Sequence, residues 1–326
     1  NNLHKLMKKI FINNLLITLI FFFIFEIFLR SFGLADLRGH GKELKEKRTN
    51  VETTVFGKKV FLDQYGYRVP YKEFVYKKNE NKIIFIGDSV LFGSGVNEEE
   101  TFVGRLRKDK DNEDKSYVNA AIIGNDVSEN LSDIKKNYKL FGNSNFFIIL
   151  TLDDIINNKV TENKNEENEK NANLIQSLKN NYFLKKINLF LRTKSYTYLW
   201  LKGIVTKPSK RYFFESFDHY KDEEKINFFN TKIGEIKNFE KFKDINIKFI
   251  ILPYEYQTRN YCESKFLLPQ EKILKVFEER KIDYINLTKN FCDHPNPKKL
   301  YLNFDPVHLS IKGHDFVSKL IKNGIH

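Results

Sequence analysis

Hydrophobic residues fall into three regimes along this chain. Ile10 to Leu29 (IFINNLLITLIFFFIFEIFL) is almost uninterrupted apolar sequence, about 20 residues and so about 30 Å as a helix, the thickness of a bilayer's hydrocarbon core. It predicts one transmembrane helix. A cleaved signal peptide is the rival reading, but Arg30, Ser31, Phe32 and Gly33 follow where a small-x-small cleavage site would stand. Glu26 precedes Arg30 by one helical turn, a spacing that predicts a pair on one helix face at the interface. Residues 34–80 are charged and weakly periodic, with Gly39, Gly41, Gly57 and Gly66 as punctuation, and read as a stalk.

Beyond the stalk, short apolar runs alternate with longer amphipathic stretches. Ile83 to Ile86, Tyr117 to Ile122, Phe146 to Leu150, Ile247 to Leu252 and Ile282 to Leu287 are short and mostly β-branched, aromatic or otherwise apolar, as strands covered on both faces are. Ser128 to Phe141, Ile226 to Phe242, Pro269 to Arg280 and Ser310 to Ile321 carry apolar residues at helical spacing. The alternation predicts an α/β fold: a three-layer α/β/α domain over 81–326 with a five-stranded parallel sheet, preceded by a membrane anchor at 1–33 and the stalk. An insertion at 157–215 interrupts it. Asn157 to Asn173 is nearly all polar and leads into two amphipathic helices, Leu174 to Leu191 and Ser195 to Val205, the second with the single Trp, Trp200. An insertion after a strand's C-terminal end falls on the ligand side of an open α/β sheet, so it reads either as a lid or as helices packed on the surface.

Composition narrows the function classes. Lys+Arg 55 against Asp+Glu 42 gives a net charge of +13. The basic residues are interleaved with Asn, Glu and Asp in runs no longer than two, without the compact footprint of a nucleic-acid groove binder, so no nucleic-acid partner is expected. The apolar content, at 41%, excludes a disordered chain, and two cysteines exclude a disulfide-stapled miniature. Cys262 and Cys292 both fall at the C-terminal edge of the sheet, where either a disulfide or two reduced thiols fit. Positive residues flank the apolar helix on both sides. A short N-terminus with three lysines suits an N-in anchor with an extracytoplasmic (periplasmic) domain.

Candidate chemistry sits in short blocks. Gly87-Asp88-Ser89 follows the first core strand, which presents Ser89 at the ligand edge of a parallel sheet. It is neither a Walker loop nor a Gly-x-Ser-x-Gly elbow. Of seven histidines, only His308 has an Asp three residues earlier, in Asp305-Pro306-Val307-His308 just before the last predicted helix. That spacing lets Asp305 accept from imidazole Nδ1–H while Nε2 faces Ser89. Ser310 as a helix N-cap, with His308 merely adjacent, is the plainer alternative. Asp88 and Asp154 read as turn-shaping carboxylates, and His294 and His314 as surface residues. No compact ligand set remains, so neither a metal nor a cofactor is expected.

Gly-Asp-Ser after the first strand together with Asp-x-x-His before the last helix resembles the SGNH, or GDSL-like, hydrolase superfamily, over roughly residues 80–323. The resemblance implies a flavodoxin-like sheet and a serine ester hydrolase or O-acyltransferase with a Ser89, His308, Asp305 triad. Its oxyanion hole would use the backbone N–H of Ser89 and of Gly124, in Asn119-Ala120-Ala121-Ile122-Ile123-Gly124. The chain departs from the family at Leu152-Asp153-Asp154-Ile155, where Asp153 stands at the position of the oxyanion-binding Asn. A carboxylate accepts and repels where an amide donates. Either Asn125 or Asn157 supplies the amide instead, or Asp153 is held protonated; otherwise the resemblance implies a slow enzyme or a non-catalytic envelope binding or assembly protein. The implied partners are an acyl-ester substrate, an envelope glycan or lipid by location, and the membrane through the anchor.

Overall fold

The computed structural model describes residues 2–41, 44, 48–76, 81–109, 115–155, 181–260 and 262–322. The apolar segment forms helix α1 (Asn2–Ser31), and His4–Ser31 is long and apolar enough to cross a membrane. Charged segment 34–80 is not simply extended: it contributes strands β1 (Val51–Val55), β2 (Lys58–Leu62) and β3 (Arg68–Val69). β1 and β2 alternate buried and exposed residues, the pattern of strands with one face on the core.

The remaining strands are β4 (Asn81–Ile86), β5 (Lys115–Asn119), β6 (Asn145–Leu150), β7 (Asn246–Ile251) and β8 (Asp283–Asn286). All eight form one sheet in the order β1-β2-β3-β5-β4-β6-β7-β8. This corrects the expected five-stranded parallel sheet. β5, β4, β6, β7 and β8 pair in parallel, whereas β1, β2 and β3 add to the β5 edge as antiparallel strands. The physical reason is edge coverage: the N-terminal segment occupies the hydrogen-bonding groups that β5 would otherwise leave open.

Between β4 and β8 run α2 (Ser89–Phe92), α3 (Phe102–Lys108), α4 (Val127–Phe141), α5 (Tyr182–Lys194), α6 (Tyr196–Thr206), α7 (Pro208–His219), α8 (Glu223–Lys243), α9 (Glu255–Arg259) and α10 (Leu268–Arg280). After β8 come α11 (Thr288–Cys292) and α12 (Ile311–Lys322). Along β4 and β6 the apolar runs divide strictly by parity. Ile84, Ile86, Phe146 and Ile148 enter one core with α8 and α10, and Ile83, Phe85, Phe147 and Ile149 enter the other with α3 and α12. Both faces of β4 and β6 are therefore covered, which is why Ile83 to Ile86 and Phe146 to Leu150 are apolar at every position.

Among its described residues the insertion contributes three helices, α5 to α7, the third of which the apolar spacing did not mark. The polar stretch Asn157 to Asn173 and the start of the helix expected from Leu174 lie outside the described residues. Glu26 does not form the expected pair with Arg30. Its carboxylate caps α6, accepting from Ser195 Oγ at 3.1 Å, Tyr196 N at 2.7 Å and Thr197 N at 2.8 Å. Free N–H groups at a helix start offer an acceptor more hydrogen bonds than one exposed guanidinium does. Arg30 lies instead over the Tyr196 ring, 5.0 Å from its centroid, and Phe25 meets Trp200 edge-on at 5.3 Å. The last turns of α1 are thus packed on the insertion. Cys262 and Cys292 form a disulfide with Cα atoms 5.8 Å apart.

Candidate active site

The parallel part of the sheet has the strand order in which chain direction reverses between β4 and β6, the switch point where open α/β sheets bind ligands. Ser89 leaves the end of β4 and Asp153 follows β6. The short helix carrying Ser89 is started by Asp88, whose carboxylate accepts from Val90 N at 2.9 Å, and stopped by Gly93 in the left-handed conformation, φ 77°. A β-carbon at Gly93 would collide with Thr101, so glycine is required there.

His308 reaches this turn from the other end of the chain. Its Nε2 lies 2.9 Å from Ser89 Oγ, and its Nδ1 lies 3.0 and 2.9 Å from the two carboxylate oxygens of Asp305. Asp305 also accepts from Val307 N at 2.9 Å and His308 N at 2.7 Å, which closes the four-residue loop around the carboxylate. Ser310 does cap the following turn, through Gly313 N at 3.2 Å, so the two readings of this segment hold together. Burial alone would raise the Asp305 pKa. The charges of His308 and Arg38, with the His308 hydrogen bonds, outweigh it and hold the carboxyl well below its ordinary range. Burial opposes charging His308, but Asp305 outweighs it and lifts the imidazole above its ordinary value. A serine hydroxyl on an imidazole whose far nitrogen is held by an ionised carboxylate can be deprotonated as it attacks a carbonyl.

Beside this line lie three carboxyls. Burial, then the charge of Asp153, pushes Asp88 up to about 6. Burial, then Asp88 and Asp153, raises Asp154 well above the carboxylate range. Asp154 accepts from Thr151 N at 2.5 Å and Thr151 Oγ1 at 3.1 Å, a turn-shaping role like that of Asp88. Asp153 accepts from Thr151 Oγ1 at 2.8 Å and lines the same cavity as Ser89 and His308. Asn125 is engaged elsewhere, donating to Asp133 at 2.7 Å, so it does not supply an amide to the hole; Asn157 lies outside the described residues. Gly124 stands on the turn after β5 with φ 85°, exposed and outside the cavity lining. His314 is a correction. It is completely buried on α12 against Phe102, whose N–H donates to Nδ1 at 3.2 Å, and burial pushes its pKa down to about 3.

Three arginines from segment 34–80 grip the loops that carry these groups. Arg68, fully buried, donates to the carbonyls of Phe92 at 2.6 Å, Gly93 at 2.7 Å and Val96 at 2.7 Å, directly behind the Ser89 turn. Arg48 donates to Ala121 O at 2.9 Å, in the loop leading to Gly124. Arg38 donates to Asn303 O at 2.8 Å and pairs with Asp305 at 3.2 Å. Phe56, between β1 and β2, has the Arg38 guanidinium over its ring at 5.0 Å and meets the His308 ring in an edge-to-face contact at 5.1 Å. The apolar pattern carried no signal for these contacts.

No protein-family model matches the chain, and no curated protein does. Solved structures similar to it include a lipase/acylhydrolase from Enterococcus faecalis, at 15% identity over 75% of this chain and 95% of that one, with a TM-score of 0.42. Others are the acetyl xylan esterase AlAXEase (13%, 75% and 100%, TM-score 0.46) and a member of the lipolytic protein G-D-S-L family from Veillonella parvula (12%, 74% and 96%, TM-score 0.42). The chemical reading of the site rests on the geometry of Ser89, His308 and Asp305 in this chain, not on those likenesses.

The cavity over Ser89 has a volume of about 300 Å³. Its walls combine the loop of Phe304 to His308, Ala35, Asp36, Arg38, Phe56, Tyr254 and the inner side of α5, α6 and α7. Gly203 lets α6 press on the Phe304 ring, which a β-carbon would strike. The insertion is therefore one side of the site.

Proposed function

We propose that this protein is a serine ester hydrolase or O-acyltransferase held at a membrane by α1. Ser89 Oγ attacks the acyl carbonyl, His308 Nε2 takes the hydroxyl proton and returns it to the leaving alcohol, and Asp305 holds the imidazole and offsets its charge. The observation that carries the reading is the continuous contact of Ser89 Oγ, His308 and Asp305, each step within 2.9–3.0 Å. The backbone N–H of Ser89 holds the oxyanion in this reading, with Asp153 at its rim; Gly124, the second donor the resemblance implies, stands outside the cavity lining. The disulfide and the apolar helix support an extracytoplasmic domain, and the location suggests an acyl ester of an envelope glycan or lipid as substrate.

A fluorophosphonate probe tests it: labelling of the folded chain that is lost in Ser89→Ala, with p-nitrophenyl acetate turnover above that control, is the expected result. Absence of both would sink the enzyme reading. Asp153 favours one second reading, a non-catalytic envelope binding or assembly protein that keeps the fold, because its carboxylate cannot donate to an oxyanion. Protease protection in spheroplasts and inverted vesicles reads the topology; cleavage only in spheroplasts is expected.

A further inference from the structure

The charges around the cavity are unevenly shared. Its carboxylates are each satisfied by neighbours: Asp36 accepts from Asn303 N at 2.7 Å and Nδ2 at 3.0 Å, Asp153 from Thr151, and Asp305 from His308 and Arg38. The wall made by the insertion carries Arg192 of α5, Lys202 of α6 and Arg211 of α7, one cation from each helix. Burial, then the charges of Arg192 and Arg211, lowers the Lys202 pKa, and all three side chains line the one cavity. Their own counter-charges are sparse. Lys202 Nζ donates to the neutral Asn188 Oδ1 at 2.9 Å, Arg211 reaches the exposed Glu215 only at 3.7 Å, and no carboxylate pairs with Arg192 or Lys202 among the described residues. Like charges gathered on one wall, Arg192 and Lys202 half-buried and Arg211 exposed, destabilise one another until an anion joins them.

We propose that the ester this site takes bears a phosphate on its alcohol side, seated against Arg192, Lys202 and Arg211 while its acyl carbonyl lies at Ser89. This rests on the hydrolytic reading above and names its substrate class. A phosphate brings up to two negative charges and several acceptor oxygens, and two of the three cations are planar guanidinium forks that match phosphate oxygens in pairs. The rest of the lining, Phe56, Leu199, Phe304 and Val307, is apolar and suits the acyl group. The phosphate is bound and not transferred. The Ser89 Oγ–acyl bond forms, the ester C–O bond to the phosphate-bearing alcohol breaks, and that alcohol leaves with the proton from His308; water then releases the acid.

Butyryl-glycerol phosphate and butyryl-glycerol differ only in the phosphate, and butyrate release by the full chain in detergent compares them. The expected kcat/KM is at least about tenfold higher for the phosphate ester, mostly through KM, with the ratio falling as salt rises. The ratio should collapse toward one in the Arg192→Gln, Lys202→Gln, Arg211→Gln triple variant. Equal values for the two esters, or a ratio unchanged in the triple variant, would overturn the proposal. Turnover of neither ester counts against the hydrolytic reading instead. The phosphate site is then read by isothermal titration of glycerol phosphate against glycerol: binding of the phosphate form alone, lost in the triple variant, supports it, and no binding overturns it. Oleoyl-glycerol phosphate in phosphatidylcholine vesicles separates the sources. Faster release there than from the soluble ester assigns a lipid headgroup, slower release a soluble or polymeric phosphate, and either keeps the shared chemistry.

Discussion

Arg68→Met removes the clamp behind the Ser89 turn while keeping an unbranched apolar stem. The guanidinium is fully buried and makes three bonds of 2.6–2.7 Å to the carbonyls of Phe92, Gly93 and Val96. Burial draws its pKa down to about 10, so it remains charged at neutral pH. Hydrogen bonds to a charged group contribute about 1.5–3 kcal/mol each, and three would sum to more than the net effect, because the variant is also relieved of burying a cation. The carbonyls left without a partner set the balance, at a loss of about 3–5 kcal/mol. Urea denaturation of residues 34–326, followed by circular dichroism, measures it, and the esterase rate at low urea should fall as well because the turn holding Ser89 loosens. A midpoint shift worth less than about 1 kcal/mol with an unchanged rate would refute the idea that this segment braces the site.

Three other outcomes follow from named contacts. His308 must be neutral to accept the serine proton and its pKa is raised, so the acid limb of kcat/KM should lie above the ordinary 6.5; because Arg38 lowers that pKa, Arg38→Gln should move the limb to still higher pH, read from a pH profile. Asp153→Asn puts an amide donor at the cavity rim and should raise turnover of p-nitrophenyl acetate by about a hundredfold, and a fall would mean that the carboxylate has another task. Replacing both Cys262 and Cys292 with Ser opens a loop of sequence separation 30 and should lower stability by about 3–4 kcal/mol in urea melts.

The central parallel strands and the long helices α4, α8, α10 and α12 were legible because burial writes itself into the sequence as apolar runs and helical spacing. Ser89, Asp305 and His308 were legible for a related reason: each sits next to the backbone feature that presents it, a strand end or a four-residue loop. The arginine clamps were not. Arginine is scarce here, 10 against 45 lysines, and Arg38, Arg48 and Arg68 lie in the segment read as a stalk. Their preference for a fork that binds carbonyls and carboxylates is the one signal available, and it names no partner.

Local pattern alone determined that this chain holds an apolar helix, an α/β core and a serine, histidine and aspartate at its strand and loop ends. Tertiary structure decided what those parts meet. β1 to β3 join the sheet edge, Glu26 caps α6 in place of pairing with Arg30, His314 is sealed in the core, and three helices of the insertion wall the cavity. The division has a physical cause. Periodicity records how much of an element is buried and on which side, whereas partners separated by dozens or hundreds of residues are chosen by packing and by the need of buried polar groups for each other.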